Sequence, residues 1–412
     1  MLLATLYNDF RVPKKFLVFS FFFIFPLLSH ASILKITVNA PIHPISSEYI
    51  KNALDRAEKE KSQLLIMILN TPGGLDTSMR EIIERILSSK VPVAVFVSPS
   101  GARAASAGFF IGIACDLFVM APGTNTGAAH PVGISVTGQA MDKTMEEKVT
   151  HDAASYIKTL AEKRQRNIKM AEDAVRKSLS FTEKEALEGG LIELVAKSEQ
   201  EIIDHFNGKK IRRFNGEELL LELKGKEIVN FPMTARQKFL ITISNPNLAY
   251  ILLMLGLLGL YFEFANPGAI LPGVLGAIFL LLAIFSFQIL PINYVGLLLI
   301  LLAIGLFILE VKVHSYGILS VGGIIAMVIG SIMLINAPIP ELRPSLKLII
   351  PVAASISLVF IFLVYLIIRA HMRRAFTGKE GLVGEIGVAQ TPLALECRSY
   401  RRYFQRGKGQ SH

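Results

Sequence analysis

The chain has 412 residues, of which 52% are hydrophobic and 18% are charged, and its formal net charge is +10. This length exceeds that of one ordinary domain and this apolar content excludes a wholly soluble enzyme, so part of the chain must meet lipid. Much of the excess of positive over negative charge lies beside and after the last apolar run, which indicates membrane topology rather than binding of nucleic acid. The two cysteines, Cys115 and Cys397, are expected in different compartments, which excludes a disulfide or a zinc site. No cofactor or metal is expected.

The N-terminal residues have the layout of an export signal. Basic residues precede the apolar run Phe16–Leu28, and Ser29-His30-Ala31 supplies the small residues that a signal peptidase requires. We therefore expect residues 1–31 to be a signal peptide, cleaved after Ala31, and residues 32–235 to be exported. An uncleaved anchor helix is the alternative, although the run is short for a membrane span and contains Pro26.

The exported part alternates strand and helix patterns, which predicts an α/β domain with mainly parallel strands. Asp76 is the expected N-cap of the second helix. In such sheets ligands gather where strand ends meet helix starts, so the turns at 70–76 and 98–108 are candidate sites. The predicted elements are, in chain order, strand 33–38, helix 47–61, strand 64–69, helix 76–89, strand 91–97 and strand 117–120.

Both turns carry residues suited to acyl-transfer chemistry. The first, Asn-Thr-Pro-Gly-Gly at 70–74, follows a strand directly, and its glycines allow a tight turn with outward N–H groups. The second places Ser106 at the start of an apolar helix, where its hydroxyl and the amide of Ala107 are expected to face the same space. Ser106 is therefore a candidate nucleophile, and Gly73, Gly74 and Ala107 are candidates for an oxyanion hole. Small residues at either turn alone are more typical of close packing.

The two turns occur together with Met-Ala-Pro-Gly-Thr-Asn-Thr-Gly-Ala-Ala-His-Pro at 120–131 and with Leu-Leu-Gly-Leu-Tyr-Phe-Glu-Phe from Leu257. This combination resembles the NfeD-type membrane proteases, relatives of Clp protease and signal peptide peptidase A, over roughly residues 33–390. The resemblance implies a Clp/crotonase-like spiral of ββα units and cleavage by a Ser/Lys dyad. In that pattern Ser106 is the nucleophile and Lys148 is the general base. A stomatin- or flotillin-like membrane protein is the implied partner and substrate, and a homodimer or higher homo-oligomer is expected.

The identity of the base has an alternative in the sequence. A lysine can take the proton of a serine only in its neutral form, which burial in an apolar pocket favours. Without the resemblance, Lys148 is more typical of a solvated charged segment. His130, which lies 24 residues after Ser106, is the alternative base, with Asp152 or Asp173 to orient it.

The segments after the candidate site predict a lid, two helices and a small αβ unit. The polar loop at 131–145 is expected to be a lid over the substrate. Helices are predicted at 148–164 and 169–177, followed by a small αβ unit at 198–235.

Residues 248–369 predict an all-α membrane domain of about five spans, whose glycines suggest close helix packing. Glu263 and Glu310 lie near span ends and are expected to reach the membrane interface. An exported domain and five crossings place the tail at 370–412 in the cytoplasm of a multi-pass inner-membrane protein, with the protease domain periplasmic or extracellular. That tail is too short for the OB-like barrel with which NfeD-type proteins continue. The expected spans are 248–265, 269–290, 293–311, 317–335 and 347–368.

The sequence thus favours a membrane-anchored serine endopeptidase that cleaves apolar segments of a stomatin- or flotillin-like protein. A catalytically silent membrane scaffold for such proteins is the main alternative. Acyl-CoA chemistry, which also uses backbone oxyanion holes, is disfavoured by export.

Overall fold

The computed structural model describes residues 32–132, 142–265, 270–288, 290, 292–313, 317–335 and 343–372. The predicted signal peptide, residues 133–141 of the predicted lid and the tail from residue 373 lie outside the described residues.

A parallel sheet forms the centre of the N-terminal domain. Its strands, in spatial order, are β11 (Ile228–Asn230), β1 (Ile33–Asn39), β2 (Leu64–Asn70), β3 (Val93–Val97), β5 (Leu117–Met120) and β8 (Leu194–Val195). Each strand pairs with its neighbour in parallel, as Ile33 with Leu64 and Ala94 with Leu117. Most residues of β1 to β3 and all of β5 are buried. Burial on both faces of a parallel sheet explains why these strands are continuous apolar runs in the sequence.

Helices cover both faces of this sheet, and two hydrophobic clusters fill the space between the layers. The helices are α1 (Pro44–Glu60), α2 (Asp76–Ser88), α3 (Ala107–Ala114), α4 (Lys143–Lys163), α5 (Ile168–Arg176), α6 (Glu183–Glu188) and α7 (Glu199–Phe206). The predicted N-cap of α2 is wrong, because Leu75 occupies that position and Asp76 is the first helical residue. The Asp76 carboxylate instead pairs with Arg80, whose Nε lies 2.9 Å away.

Two small sheets complete the domain. The first consists of β4 (Arg103–Ala105), β6 (Asn125–Gly127) and β7 (Ser180–Thr182), and the second is the hairpin of β9 (Lys210–Arg212) and β10 (Glu218–Leu220). Strands β4, β6 and β7 were not predicted from the sequence. The first small sheet leads directly to the candidate nucleophile, since the residue after β4 is Ser106.

The C-terminal part is helical, which confirms the predicted order of an α/β domain and an all-α region. It contains α8 (Ala235–Ile243), α9 (Pro246–Ala265), α10 (Ile270–Phe287), α11 (Tyr294–Lys312), α12 (Ile318–Met333) and α13 (Leu346–Met372). Of the described helices, α9 over 246–263 and α10 over 270–287 are long and apolar enough to cross a membrane. Three shorter apolar stretches lie at 294–310, 318–333 and 346–362. All five helices begin within two residues of the predicted spans.

The chain divides into two compact units. The first joins the α/β domain with α8, α9 and α10, and the second holds most of α11, α12 and α13. In the first unit, α9 and α10 approach closely at glycines: a Cβ added to Gly259 would lie 2.9 Å from Gly276 Cα. The predicted close packing of this pair is confirmed. Glu263 also packs there, against Gly273.

Glu310, in the second unit, differs from its prediction as an interfacial residue. Its side chain is buried. Its two carboxylate oxygens accept hydrogen bonds from the Gly317 and Ser320 amides, both at 2.9 Å. Glu310 therefore satisfies the free N–H groups at the start of α12, which a helix cannot satisfy by itself.

Candidate active site

Ser106 lies on a sharp turn between β4 and α3. Its backbone has φ +50° and ψ −114°, outside the regions that most L-residues adopt. The turn is held because the Ser106 amide donates to the Gly127 carbonyl at 3.0 Å and its carbonyl accepts from the Phe109 amide at 3.0 Å. Such strained positions persist where the surroundings enforce them, and they cluster at functional sites.

The first candidate turn lies directly against Ser106. The Thr71 amide donates to the Arg103 carbonyl at 2.7 Å, and the Thr71 carbonyl accepts from the Ala105 amide at 3.1 Å. This pairing joins the end of β2 to β4. A Cβ added to Gly73 would lie 2.7 Å from Ser106 Cβ and 3.2 Å from its Oγ. The turn must therefore be glycine here, since a side chain would collide with the serine.

The three candidate oxyanion-hole residues differ in whether their backbone N–H groups already donate a hydrogen bond. The Gly73 N–H donates to Thr71 Oγ1 at 3.2 Å, so it is already engaged. Its carbonyl accepts from the Ile42 amide at 2.8 Å, which fixes the turn. Within the described chain, the amides of Gly74 and Ala107 have no protein acceptor. Gly74 and Ala107 thus offer two free donors beside Ser106, whereas Gly73 has a structural role.

A cavity of roughly 820 Å³ opens in front of these groups. Its floor is formed by Gly74, Ser106, Ala107 and Phe110, and α4 contributes Val149, Asp152 and Ala153. Other lining residues come from the segment before α1, from α2, from the segment at 129–132 and from the end of α8 and its junction with α9. Its volume lies within the range of ordinary ligand pockets.

Lys148 is exposed on the second turn of α4 and does not line the cavity, although the next residue, Val149, does. The burial expected of a lysine base is therefore not found in this structure. The site brings Ser106 together with Gly74 and Ala107, but it leaves Lys148 in solvent.

His130 does not line the cavity either, although Ala129 and Pro131 do. Its Nδ1 lies 3.0 Å from the Val175 carbonyl oxygen, and its Nε2 lies 3.6 Å from Glu146 Oε1.

The two proposed orienting residues for His130 have other partners. Asp152 pairs with Arg80 at 2.5 Å, and Asp173 pairs with Lys177 at 3.0 Å. The histidine alternative therefore lacks the geometry of a triad in this structure.

His43 lines the cavity, although it was not predicted from the sequence as a site residue. It is the N-cap of α1, and its Nδ1 accepts from the Ile45 amide at 3.2 Å and from the Ser46 amide at 3.4 Å. Because Nδ1 is the acceptor, the neutral ring carries its proton on Nε2. Burial lowers the pKa of His43 from 6.5 to about 4. The sequence signal was a histidine directly before Pro44, since proline favours the first helical position.

Comparisons with known proteins show the family of this chain. The family model described as "NfeD1b, N-terminal domain" matches residues 32–227, and the model "NfeD integral membrane domain" matches residues 247–366. The chain is 37% identical over 362 residues to Membrane-bound protease PH1510 of Pyrococcus horikoshii, covering 85% of this chain and 82% of that protein. The chain belongs to the NfeD family. It is a membrane protein with apolar helices.

A second curated relative and two solved structures match with lower identity. Membrane protein NfeD1b of Bacillus subtilis is 29% identical over 286 residues, covering 68% of this chain and 62% of that protein. Among solved structures, the 1510-N membrane-bound stomatin-specific protease, as a lysine-to-alanine mutant in complex with a substrate peptide, matches with a TM-score of 0.49. It is 33% identical and covers 52% of this chain and 99% of that chain. A serine-to-alanine mutant of the same protease matches with a TM-score of 0.47 and 34% identity, covering 49% of this chain and 98% of that chain.

The C-terminal end of α3, the helix that begins after Ser106, is fixed by a buried ionic cluster in this NfeD chain. Arg166 Nη1 donates to the carbonyls of Gly112, Ile113 and Cys115, at 3.1, 2.6 and 3.0 Å. Its other nitrogens pair with the Glu193 carboxylate at 2.8 Å. Positive charge at the C-terminus of α3 complements the helix dipole. The cluster holds α3 in place, and with it the turn at Ser106.

Proposed function

We propose that this NfeD chain is a membrane-anchored serine endopeptidase in which Ser106 is the nucleophile. The observation that carries the proposal is the meeting of Ser106 with the free amides of Gly74 and Ala107 at one cavity. A serine that attacks a peptide carbonyl creates a negative oxygen, and two backbone N–H groups stabilise it without reorganising. Collapse of the intermediate releases the amine product and leaves an acyl group on Ser106, which water then removes.

We infer that Lys148 is the base of this reaction. The solved relative was studied as a serine mutant and as a lysine mutant, which supports a dyad of these residue types in that protein. In this chain the dyad requires Lys148 to leave solvent and approach Ser106, because only a buried lysine is readily neutral. A bound substrate or a second copy of the chain could cover this exposed turn of α4.

The proposed substrate is an apolar segment of a stomatin- or flotillin-like membrane protein. The solved relative, 1510-N, is named a stomatin-specific protease. The cavity of this chain offers apolar contacts at Phe110, Val149 and Ala153. Burial of apolar substrate side chains there is worth about 25 cal/mol per Å².

The proposed topology is an exported protease domain followed by five membrane spans. The two long apolar helices and the three shorter ones support it. The membrane family model over residues 247–366 covers the same region.

A catalytically silent scaffold for stomatin-like proteins is the second candidate. The observation that favours it is the exposure of Lys148. A scaffold needs the fold and the membrane helices but no buried base.

The nucleophile is tested by Ser106→Ala in the full-length protein, with an apolar peptide library as substrate. We expect peptide cleavage to fall to background. Ser178→Ala is the matched control, because Ser178 also has a positive φ, of +55°, but is exposed. Equal turnover in the Ser106→Ala variant and the wild type would eliminate the peptidase proposal.

The base is tested by Lys148→Met, with Lys158→Met as the control at another exposed lysine of the same helix. Removing a general base typically costs about 10²- to 10⁴-fold in rate. We expect such a loss for the first variant and none for the second. Full activity in Lys148→Met, with loss in His130→Ala, would transfer the role of base to the histidine.

A further inference from the structure

One wall of the cavity at Ser106 comes from the segment that leads into the first apolar helix. Ile241 from α8 and Ser244, Asn245 and Pro246 from the α8–α9 junction line the same cavity as Ser106. We call residues 241–246 the junction wall. These residues lie 135 or more positions after Ser106 in the sequence, so the folded chain brings them together.

The junction wall is fixed on its protease side. Glu48 on α1 accepts hydrogen bonds from Arg236 at 3.0 Å and from Gln237 at 3.3 Å. Gln237 is almost fully buried, at 2% exposure. Tyr49, the next residue on α1, stacks on Phe231 with a ring-centroid distance of 5.9 Å. The segment before the junction is therefore attached to the helix whose N-cap, His43, also lines the cavity.

The junction wall is also fixed on its membrane side. Ser286 on α10 is completely buried, and its hydroxyl donates to the Ile243 carbonyl at 2.8 Å. On the other side of the turn, the Asn245 carbonyl accepts from the Ala249 amide at 2.9 Å. A wall held from both sides presents a defined surface to whatever enters the cavity.

The junction wall differs in charge from the side of the cavity that the protease domain forms. The charged lining residues lie on the protease side, where Arg80 pairs with Asp76 and Asp152. The junction wall carries no charged residue among those that line the cavity, and it offers Ile241 and Pro246 as apolar surface.

We propose that the junction wall is a specificity-determining part of the substrate site. Its occupant is the apolar part of an extended substrate segment that directly adjoins a membrane-embedded stretch of the substrate protein. The reason is geometric, because the junction wall ends at Pro246, where α9 begins. A substrate segment that lies between Ser106 and the wall is therefore next to the start of the first apolar helix. This inference rests on the proposed peptidase function and adds to it the position of the cleaved bond relative to the membrane.

Ile241→Ala tests the wall, with Phe239→Ala as the control. Phe239 is an apolar residue of the same helix that is exposed and does not line the cavity. Both changes are made in full-length Ser106→Ala protein in lipid nanodiscs, and binding of a fluorescent apolar peptide is measured by anisotropy. Loss of contact with a half-buried isoleucine should weaken binding about tenfold. The control should stay within about twofold, and equal affinities for the two variants would overturn the proposal.

A photo-crosslinking amino acid at position 241, compared with one at position 239, keeps the test valid if Ile241→Ala is poorly folded. The probe is a single apolar helix, anchored in the same nanodisc, with an apolar peptide segment at its end. We expect crosslinks from 241 and none from 239, and the reverse pattern would contradict the inference.

Failure of the inference can be told apart from failure of the peptidase proposal. Crosslinking at 241 without any cleavage by the wild type would support the junction wall and overturn the peptidase. Cleavage by the wild type that is equal for anchored and free peptides at equal local concentration would leave the peptidase standing and overturn the junction wall.

Discussion

Protonation of His43 should weaken the α/β domain in mildly acidic solution. The ring is only 7% exposed and accepts two backbone hydrogen bonds through Nδ1. Burial lowers its pKa from 6.5 to about 4. Between these two values the unfolded chain binds a proton that the folded chain does not bind, so acidification favours unfolding. The stabilising effect of neutral His43 is complete above about pH 6.5 and is lost as the pH falls through about 4.

The magnitude follows from the two pKa values. One unit of pKa difference corresponds to about 1.4 kcal/mol, so the full effect on the free energy of unfolding is about 3 kcal/mol. Other groups titrate in the same range. The effect of His43 is therefore obtained by comparing the wild type with a variant that has no ionisable group at this position. The compared quantity is the loss in free energy of unfolding on acidification.

His43→Asn is that variant, because asparagine is also a good N-cap residue and does not titrate. Urea unfolding of the full-length protein in mild detergent is followed by near-ultraviolet circular dichroism at pH 7.5 and at pH 4.5. We expect the wild type to lose about 2 to 3 kcal/mol more than the variant between the two values of pH. Equal losses would refute the claim that neutral, buried His43 supports the fold.

Gly73→Ala should reduce the rate constant of cleavage by about 100-fold, because its Cβ would displace Ser106 and misplacement of a reacting group by about 1 Å costs that much. Gly190→Ala is the control, since Gly190 has a φ of +73° but open space around it, and it should retain activity in the same peptide assay. Arg166→Met should destabilise the fold by about 3 to 5 kcal/mol because a buried network loses one partner. The control, Arg56→Met at a half-exposed surface ion pair, should cost no more than about 1 kcal/mol in the same urea titration. A reporter fused after Arg374 should be cytoplasmic, and a periplasmic or extracellular signal would contradict five spans.

The main strands were predictable because the hydrophobic pattern of each segment matches its burial in the folded domain. Strands β1, β2, β3 and β5 are buried on both faces, and their continuous apolar runs identify them. The short strands β4, β6 and β7 were missed because three residues are too few to show a strand period. The N-cap of α2 was missed because Asp76 can also pair with Arg80 four residues later, and this contact holds its carboxylate.

The candidate site was predictable only where local turn chemistry defines it. Ser106, Gly73 and Gly74 could be identified from the sequence because they lie in runs of small residues between a predicted strand and a predicted helix. The chain must turn sharply there, and small residues allow it. The sequence could not separate Gly73 from Gly74, since the difference is a hydrogen bond from the Gly73 amide to Thr71.

The parts of the site that depend on distant contacts were not predictable. The place of the junction wall at 241–246 beside Ser106 requires contacts across much of the chain. The capping contacts of His43 are local, but its burial comes from the folded domain. Burial of Lys148 was expected from the chemistry of a lysine base, but the described structure leaves this side chain in solvent.

The central claim is that Ser106 forms a covalent acyl intermediate, and trapping that intermediate tests it most directly. The full-length protein in nanodiscs is mixed with an activated ester of an apolar peptide, quenched in acid within the first turnover, digested and examined by mass spectrometry. The account predicts one acyl group on the peptide that contains Ser106 and none in the Ser106→Ala variant. Turnover with no acylated peptide, or with the acyl group on another residue, would contradict it.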